Sequence, residues 1–105
     1  MNELTVEELK EKMDQQEDFV LLDVREPHEF EYSSIDGSTL IPLGDLEDHL
    51  ESLDKEKVYV VHCRSGKRSA SAVNIMTSYG FSDVSNLVGG ILSWAAEIDS
   101  SVDVA

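Results

Sequence analysis

The chain is short of the features that mark a disulfide scaffold, a metal centre, a membrane span or a nucleic-acid binder. Its 105 residues contain one cysteine, which excludes an intrachain disulfide and any cysteine-cluster metal site. The three histidines, His28, His49 and His62, show no ligand spacing, so neither a metal nor another cofactor is expected. No apolar run approaches the ~20 residues needed to cross a bilayer. The opening MNELTVEELKEK lacks the basic start and apolar stretch of a secretory signal, and a cytoplasmic location is expected. Bases are scarce as well: eight Lys and Arg stand against 22 Asp and Glu, for a formal charge of −14. A surface of that sign repels nucleic acid and anionic membrane alike.

What is present reads as one α/β domain filling residues 1–105, with its core over about residues 4–98 and a frayed tail over 99–105. Thr5 and Glu8 form a capping box, and Val6, Leu9 and Met13 follow at helical spacing. FVLLDV (19–24) is an apolar run of strand length. Pro27 suits the first turn of a helix that turns Phe30 inward. Residues 39–41 form a brief strand, and Asp45 can cap a helix carrying Leu46, Leu50 and Leu53 on one face. VYVVH (58–62) is β-branched and almost wholly apolar, the clearest strand in the chain. A helix with Ala72, Ile75, Met76 and Tyr79 along one side follows and stops at Gly80. Residues 84–88 form a last strand, and a final helix turns Ile91, Trp94, Ala95 and Ile98 inward. Tyr79 and Trp94 are read as core. Strands apolar on both faces, alternating with helices, predict a mostly parallel central sheet with helices on both sides.

Ligands of such sheets bind beyond the carboxyl ends of the strands. That rule brings Asp23 and Arg25, which end one strong strand, beside Cys63, which ends another. Three of the eight cations, Arg64, Lys67 and Arg68, fall within five positions of the loop CRSGKRS. A lone cysteine is commonly a small buried hydrophobe. This one opens a strand-to-helix loop with a glycine, hydroxyls and cations, and the next helix aims its N-terminus at the sulfur. Neighbouring Arg or Lys and a helix N-terminus lower a thiol pKa. Gly66 lets consecutive backbone N–H groups of residues 64–68 curl inward as an anion nest, with Ser65 in its wall. Asp23 is expected to be structural support, paired with Arg25 or with loop N–H groups. Alternation along the strand sends His62 to the face opposite Cys63.

LLDVREPHEFEYSSIDGSTLIPL, VYVVHCRSGKRSASA and NLVGGILSW resemble, in order and spacing, the three signature regions of rhodanese domains, over about residues 4–98. The resemblance implies a rhodanese-like fold and a thiosulfate sulfurtransferase without cofactor. It implies that Cys63 forms a persulfide, that Arg64, Ser65, Gly66, Lys67 and Arg68 line its loop, and that Asp23 and Gly89-Gly90 match further family positions. The implied partners are a small anionic sulfur donor such as thiosulfate and a thiol or cyanide acceptor. Arg64 or Arg68 is expected to bind the donor's oxyanion through a planar fork; Lys67 at the helix start can equally face water. Ser33-Ser34-Ile35 departs from the Gly-His-Ile of many members. Two other readings stay open. One is a sulfur-relay carrier or binding module with a protein donor or acceptor. The other is a cysteine phosphatase or arsenate reductase. That class uses Cys-x5-Arg, whereas here Arg68 stands at Cys-x4-Arg and Ser69 takes the x5 position.

Overall fold

The computed structural model describes residues 1–105. Five strands, β1 (Asn2–Leu4), β2 (Val20–Asp23), β3 (Ser38–Leu40), β4 (Val58–His62) and β5 (Asp83–Leu87), form one all-parallel sheet in the order β1-β5-β4-β2-β3. Five helices surround it: α1 (Val6–Asp14), α2 (Pro27–Tyr32), α3 (Leu46–His49), α4 (Lys67–Ser78) and α5 (Gly90–Glu97). The apolar strands are covered on both sides, as a parallel sheet requires. On one face Leu22, Tyr59, Val61 and Val84 meet Ala72, Val73 and Met76 of α4, together with Leu46 and Leu50. On the other, Leu21, Val60 and Leu87 meet Val6 and Leu9 of α1 and Ile91 and Trp94 of α5. Each such side chain, fully buried, contributes about 1.5–3 kcal/mol. The Thr5–Glu8 capping box forms, with bonds of 2.9 and 3.1 Å.

Four expectations differ from the structure. The edge strand β1 has no counterpart in the reading of the sequence, because three half-exposed residues show no alternation. Asp45 caps nothing: a 3-10 turn over Leu43–Asp45 precedes α3, so the Asp45 backbone is already helical at φ −104°, ψ −5°, where a cap needs extended backbone. Tyr79 is exposed. The buried face of α4 is Ser69, Ala72, Val73 and Met76, rotated from the expected stripe, and the Tyr79 hydroxyl donates to Glu47 at 2.7 Å. The tail, finally, lies against the body. Val102 and Val104 pack on the α1–α5 cluster. Tyr32 donates to the Asp103 carboxylate at 2.8 Å, the Ser33 hydroxyl donates to the Asp103 carbonyl, and Arg64 Nε donates to the Ala105 carbonyl at 3.0 Å.

The chain leaves β2 for the β3 edge and leaves β4 for β5 on the other side, so the topological switch point falls between β2 and β4. Both strands end there on charged or polar groups. Arg25, 2% exposed, forks onto the Asp23 carboxylate through Nε at 3.0 Å and Nη2 at 2.7 Å. The same guanidinium donates to the Ser33 carbonyl at 2.8 Å and to the Glu29 carbonyl at 3.4 Å, so it ties α2 to the end of β2. A buried ion pair adds little over an apolar replacement, but removing one partner strands the other charge. Asp23→Ala is therefore expected to cost about 3–5 kcal/mol in urea unfolding, since Arg25 keeps only carbonyl partners. A loss below about 1 kcal/mol would mean that the guanidinium escapes to water.

Candidate active site

Cys63 follows β4 at the switch point and is 1% exposed. The parity of the strand puts its side chain on the α4 face, with Val61. His62 goes the other way, toward Asp23, its register partner. There its Nε2 stands 3.7 Å from Asp23 Oδ2 and has no hydrogen bond, while Nδ1 faces the Cys63 carbonyl at 3.3 Å. Burial pushes the imidazole pKa down and outweighs the pull of Asp23, so His62 is neutral. The polar partners of the Asp23 carboxylate are Arg25 and His62, not the sulfur. Asp23 and Arg25 thus form a buried pair at the end of β2, next to the strand that leads into Cys63.

The loop around the sulfur is built from backbone. Gly66 adopts φ +115°, a conformation open to glycine at little cost, and its N–H points at Cys63 Sγ from 3.1 Å. α4 begins at the next residue and adds its first N–H groups. Burial opposes ionisation of the thiol. The Ser69 hydroxyl and the N–H groups of Ser69, Gly66 and Ser65 outweigh it, and the pKa falls below the ordinary thiol value. The cations contribute less directly than their number in the loop suggests. Arg64 turns to the Ala105 carbonyl, Lys67 is exposed, and Arg68 forks onto Glu29 of α2 with bonds of 2.6 and 3.0 Å.

Two side chains to which the sequence reading gave no role at the sulfur complete the cradle. Ser69 is fully buried, with its hydroxyl 3.4 Å from the sulfur and 2.6 Å from Asn86 Oδ1. Asn86 of β5 donates its amide to the Gly66 carbonyl at 3.2 Å. A carbonyl only accepts, so this bond fixes the amide orientation and leaves Oδ1 facing the hydroxyl. The single Ser69 proton serves Asn86 or the ionised sulfur, and ionisation exchanges one bond for the other. The signal available beforehand was an asparagine near the carboxyl end of β5, the rim where parallel sheets place their ligands. The Gly89-Gly90 turn closes the loop from behind. Ile91 and Leu92 of α5 donate to the Cys63 and Arg64 carbonyls at 3.0 and 3.1 Å. A Cβ on Gly90 would sit 2.5 Å from both carbonyl oxygens, so the close approach requires glycine there.

The Rhodanese-like domain family matches residues 5–97. The chain belongs to that family. Among relatives, YtwF of Bacillus subtilis, provisionally named a sulfurtransferase, is 38% identical over 97 residues, covering 92% of this chain and 93% of its own. MoeZ of Mycobacterium tuberculosis, named an adenylyltransferase/sulfurtransferase, is 37% identical; the match covers 90% of this chain but 25% of MoeZ. A rhodanese-like domain protein from Staphylococcus aureus superposes with a TM-score of 0.87 at 30% identity, covering 100% of this chain and 99% of that one. The rhodanese-like fold expected from the signature blocks is therefore the fold observed.

Because the donors converging on sulfur are mostly backbone, Ser69 is the one that substitution can remove cleanly. Ser69→Ala should shift the pH profile of Cys63 alkylation by iodoacetamide upward. The rate at neutral pH should fall roughly tenfold, the lower end of a charge-assisted hydrogen bond at about 1.5–3 kcal/mol. An unchanged profile would assign the activation to N–H groups alone.

Proposed function

We propose that this rhodanese-like domain is a sulfurtransferase that carries sulfane sulfur on Cys63. The observation that carries the reading is the set of hydrogen-bond donors converging on one buried sulfur, Gly66 N–H at 3.1 Å and Ser69 at 3.4 Å. They lower the thiol pKa, and a thiolate is the attacking species. Family membership supports sulfur transfer as the reaction class.

In the first half-reaction, the Cys63 thiolate attacks the outer sulfur of thiosulfate. The new S–S bond forms as the old one breaks, and sulfite leaves with the electron pair, giving Cys63–S–S⁻. The N–H groups of residues 65, 66 and 69 that hold the thiolate can follow the charge to the persulfide. In the second, cyanide or an acceptor thiolate attacks the terminal sulfur and returns the Cys63 thiolate. No proton needs a general base when the nucleophile is already ionised, which fits the engagement of Asp23 by Arg25. The chain holds no second cysteine, so the terminal sulfur must leave to an external acceptor. That acceptor, or the donor, can be another protein, and the relay reading is supported by the likeness to part of MoeZ.

Thiosulfate is expected to add about one sulfur (~32 Da) by intact mass, and cyanide to remove it, as relay through one nucleophile requires. Cys63→Ser should lose both the adduct and thiocyanate production, while p-nitrophenyl phosphate stays unhydrolysed by the wild type. Turnover surviving in Cys63→Ser would sink the reading. Phosphatase activity lost in that variant would instead promote the phosphatase.

A further inference from the structure

The oxyanion seat that the loop sequence promises is already filled from within the chain. Arg68 presents its fork to both oxygens of Glu29, at 2.6 and 3.0 Å, the arrangement by which a guanidinium recognises a sulfonate or carboxylate. Glu29 is no floppy surface acid. Its side chain is 15% exposed, against 35% for Arg68. Its Oε1 also accepts from the Glu26 N–H at 2.9 Å, closing the capping box of α2, and its carbonyl accepts from buried Arg25. The Arg68 hydrogen bond, the leading cause, holds the Glu29 pKa down at about 2, so physiological acidification does not vacate the seat. The Cys63 thiolate and Arg68 also sense one another, since the thiolate favours the charged guanidinium after Glu29 does. Arg64, the other guanidinium of the loop, is turned to the Ala105 carbonyl.

A small dianion must displace an intramolecular, preorganised carboxylate to reach Arg68, inside a molecule of formal charge −14. A donor charged only on the sulfur to be transferred needs no such seat and can use the N–H groups around Cys63. Resting on the reading of Cys63 as the sulfur carrier, we propose that Glu29 is a specificity-determining residue: its carboxylate occupies the oxyanion seat on Arg68 and biases the site toward persulfide donors over small dianions such as thiosulfate. A purely structural α2–α4 strap would instead affect all donors alike when cut.

The test compares full-length wild type, Glu29→Gln and Glu29→Gln/Arg68→Ala. Glutamine keeps an oxygen for the Glu26 N–H but loses the charge. Single-turnover sulfur loading of Cys63 is followed by intact mass with thiosulfate and, separately, with 2-hydroxyethyl persulfide. For the persulfide, the thiolate attacks its outer sulfur and 2-mercaptoethanol leaves as thiolate. Glu29→Gln should raise the thiosulfate-to-persulfide loading ratio roughly two- to fivefold, the worth of about one partly exposed charged pair, through a lower half-saturating thiosulfate concentration. The added Arg68→Ala should abolish the gain. An unchanged ratio, or a gain that survives Arg68→Ala, overturns the inference while leaving the carrier reading intact. Sulfate protection of Cys63 against iodoacetamide reads the same seat without sulfur transfer. Protection at several-fold lower sulfate in Glu29→Gln supports the seat even if neither donor loads, an outcome that would overturn the carrier reading alone. Equal protection in both proteins overturns the seat.

Discussion

The rim of this domain is organised by the need to satisfy one buried guanidinium. Arg25 is 2% exposed, and an unpaired charge at that depth costs several kcal/mol. Its five donors find the Asp23 carboxylate, the Ser33 carbonyl and the Glu29 carbonyl. Those three acceptors lie on β2, past the end of α2 and within α2, so neutralising the charge also fixes how α2 leaves the sheet. The position of α2 in turn decides what Glu29 can reach, and what it reaches is Arg68 at the start of α4. Asp23 also sits beside His62, whose ring backs the Cys63 carbonyl. A charge placed for structural reasons thereby orders the groups that flank the Cys63 loop on two sides.

The loop itself is clamped by backbone groups in opposite senses. Its N–H groups face inward to the sulfur, whereas the carbonyls of Cys63 and Arg64 face outward to the N-terminus of α5. Four N–H groups at the start of each helix lack an intrahelical partner. Here Ser69 of α4 gives its own to the Cys63 sulfur and α5 gives two to peptide oxygens. The sequence cost of this economy is glycine at three points: Gly66 for positive φ, and Gly89 and Gly90 for positive φ with close approach. Hydrogen bonds from backbone are shorter in reach than a lysine or arginine, and they do not swing away to other carboxylates.

How much of this was legible follows from the range of each signal. β2 and β4 are runs of apolar residues, α4 and α5 repeat them at helical spacing, and the expected strands β2, β4 and β5 agree with the observed ones within a residue. That Cys63 with its loop and the Asp23–Arg25 pair share one rim was readable because β2 and β4 are adjacent parallel strands and these residues fall at their carboxyl ends. β1 was too short to show a period. Tyr79 kept helical spacing from Met76, yet the face of α4 was rotated by Ser69, a polar residue that the apolar pattern could not credit as buried. The fate of the cations was invisible for another reason. Whether Arg68 faces sulfur or Glu29 depends on a contact across 39 residues of chain, and no local pattern encodes it.

The spacing of that arginine now acquires a direction as well as a length. In CRSGKRS the fifth position after the cysteine, beyond four intervening residues, is Arg68, near the start of α4, and the next is Ser69. It is Ser69, wholly buried, whose side chain faces Cys63 Sγ, while Arg68 turns outward to α2. Successive residues of a helix differ by about 100° in heading, from 3.6 residues per turn, so these two positions cannot both look at the sulfur. An arginine at the Ser69 position would aim its fork over the thiolate, which suits clamping a tetrahedral oxyanion in transfer. A serine there is short and neutral, and its hydroxyl lies 3.4 Å from the Cys63 sulfur. The difference between Cys-x5-Arg and Cys-x4-Arg is therefore a change in which side chain closes the cradle. In this chain the closing group is small, neutral and already shared with Asn86.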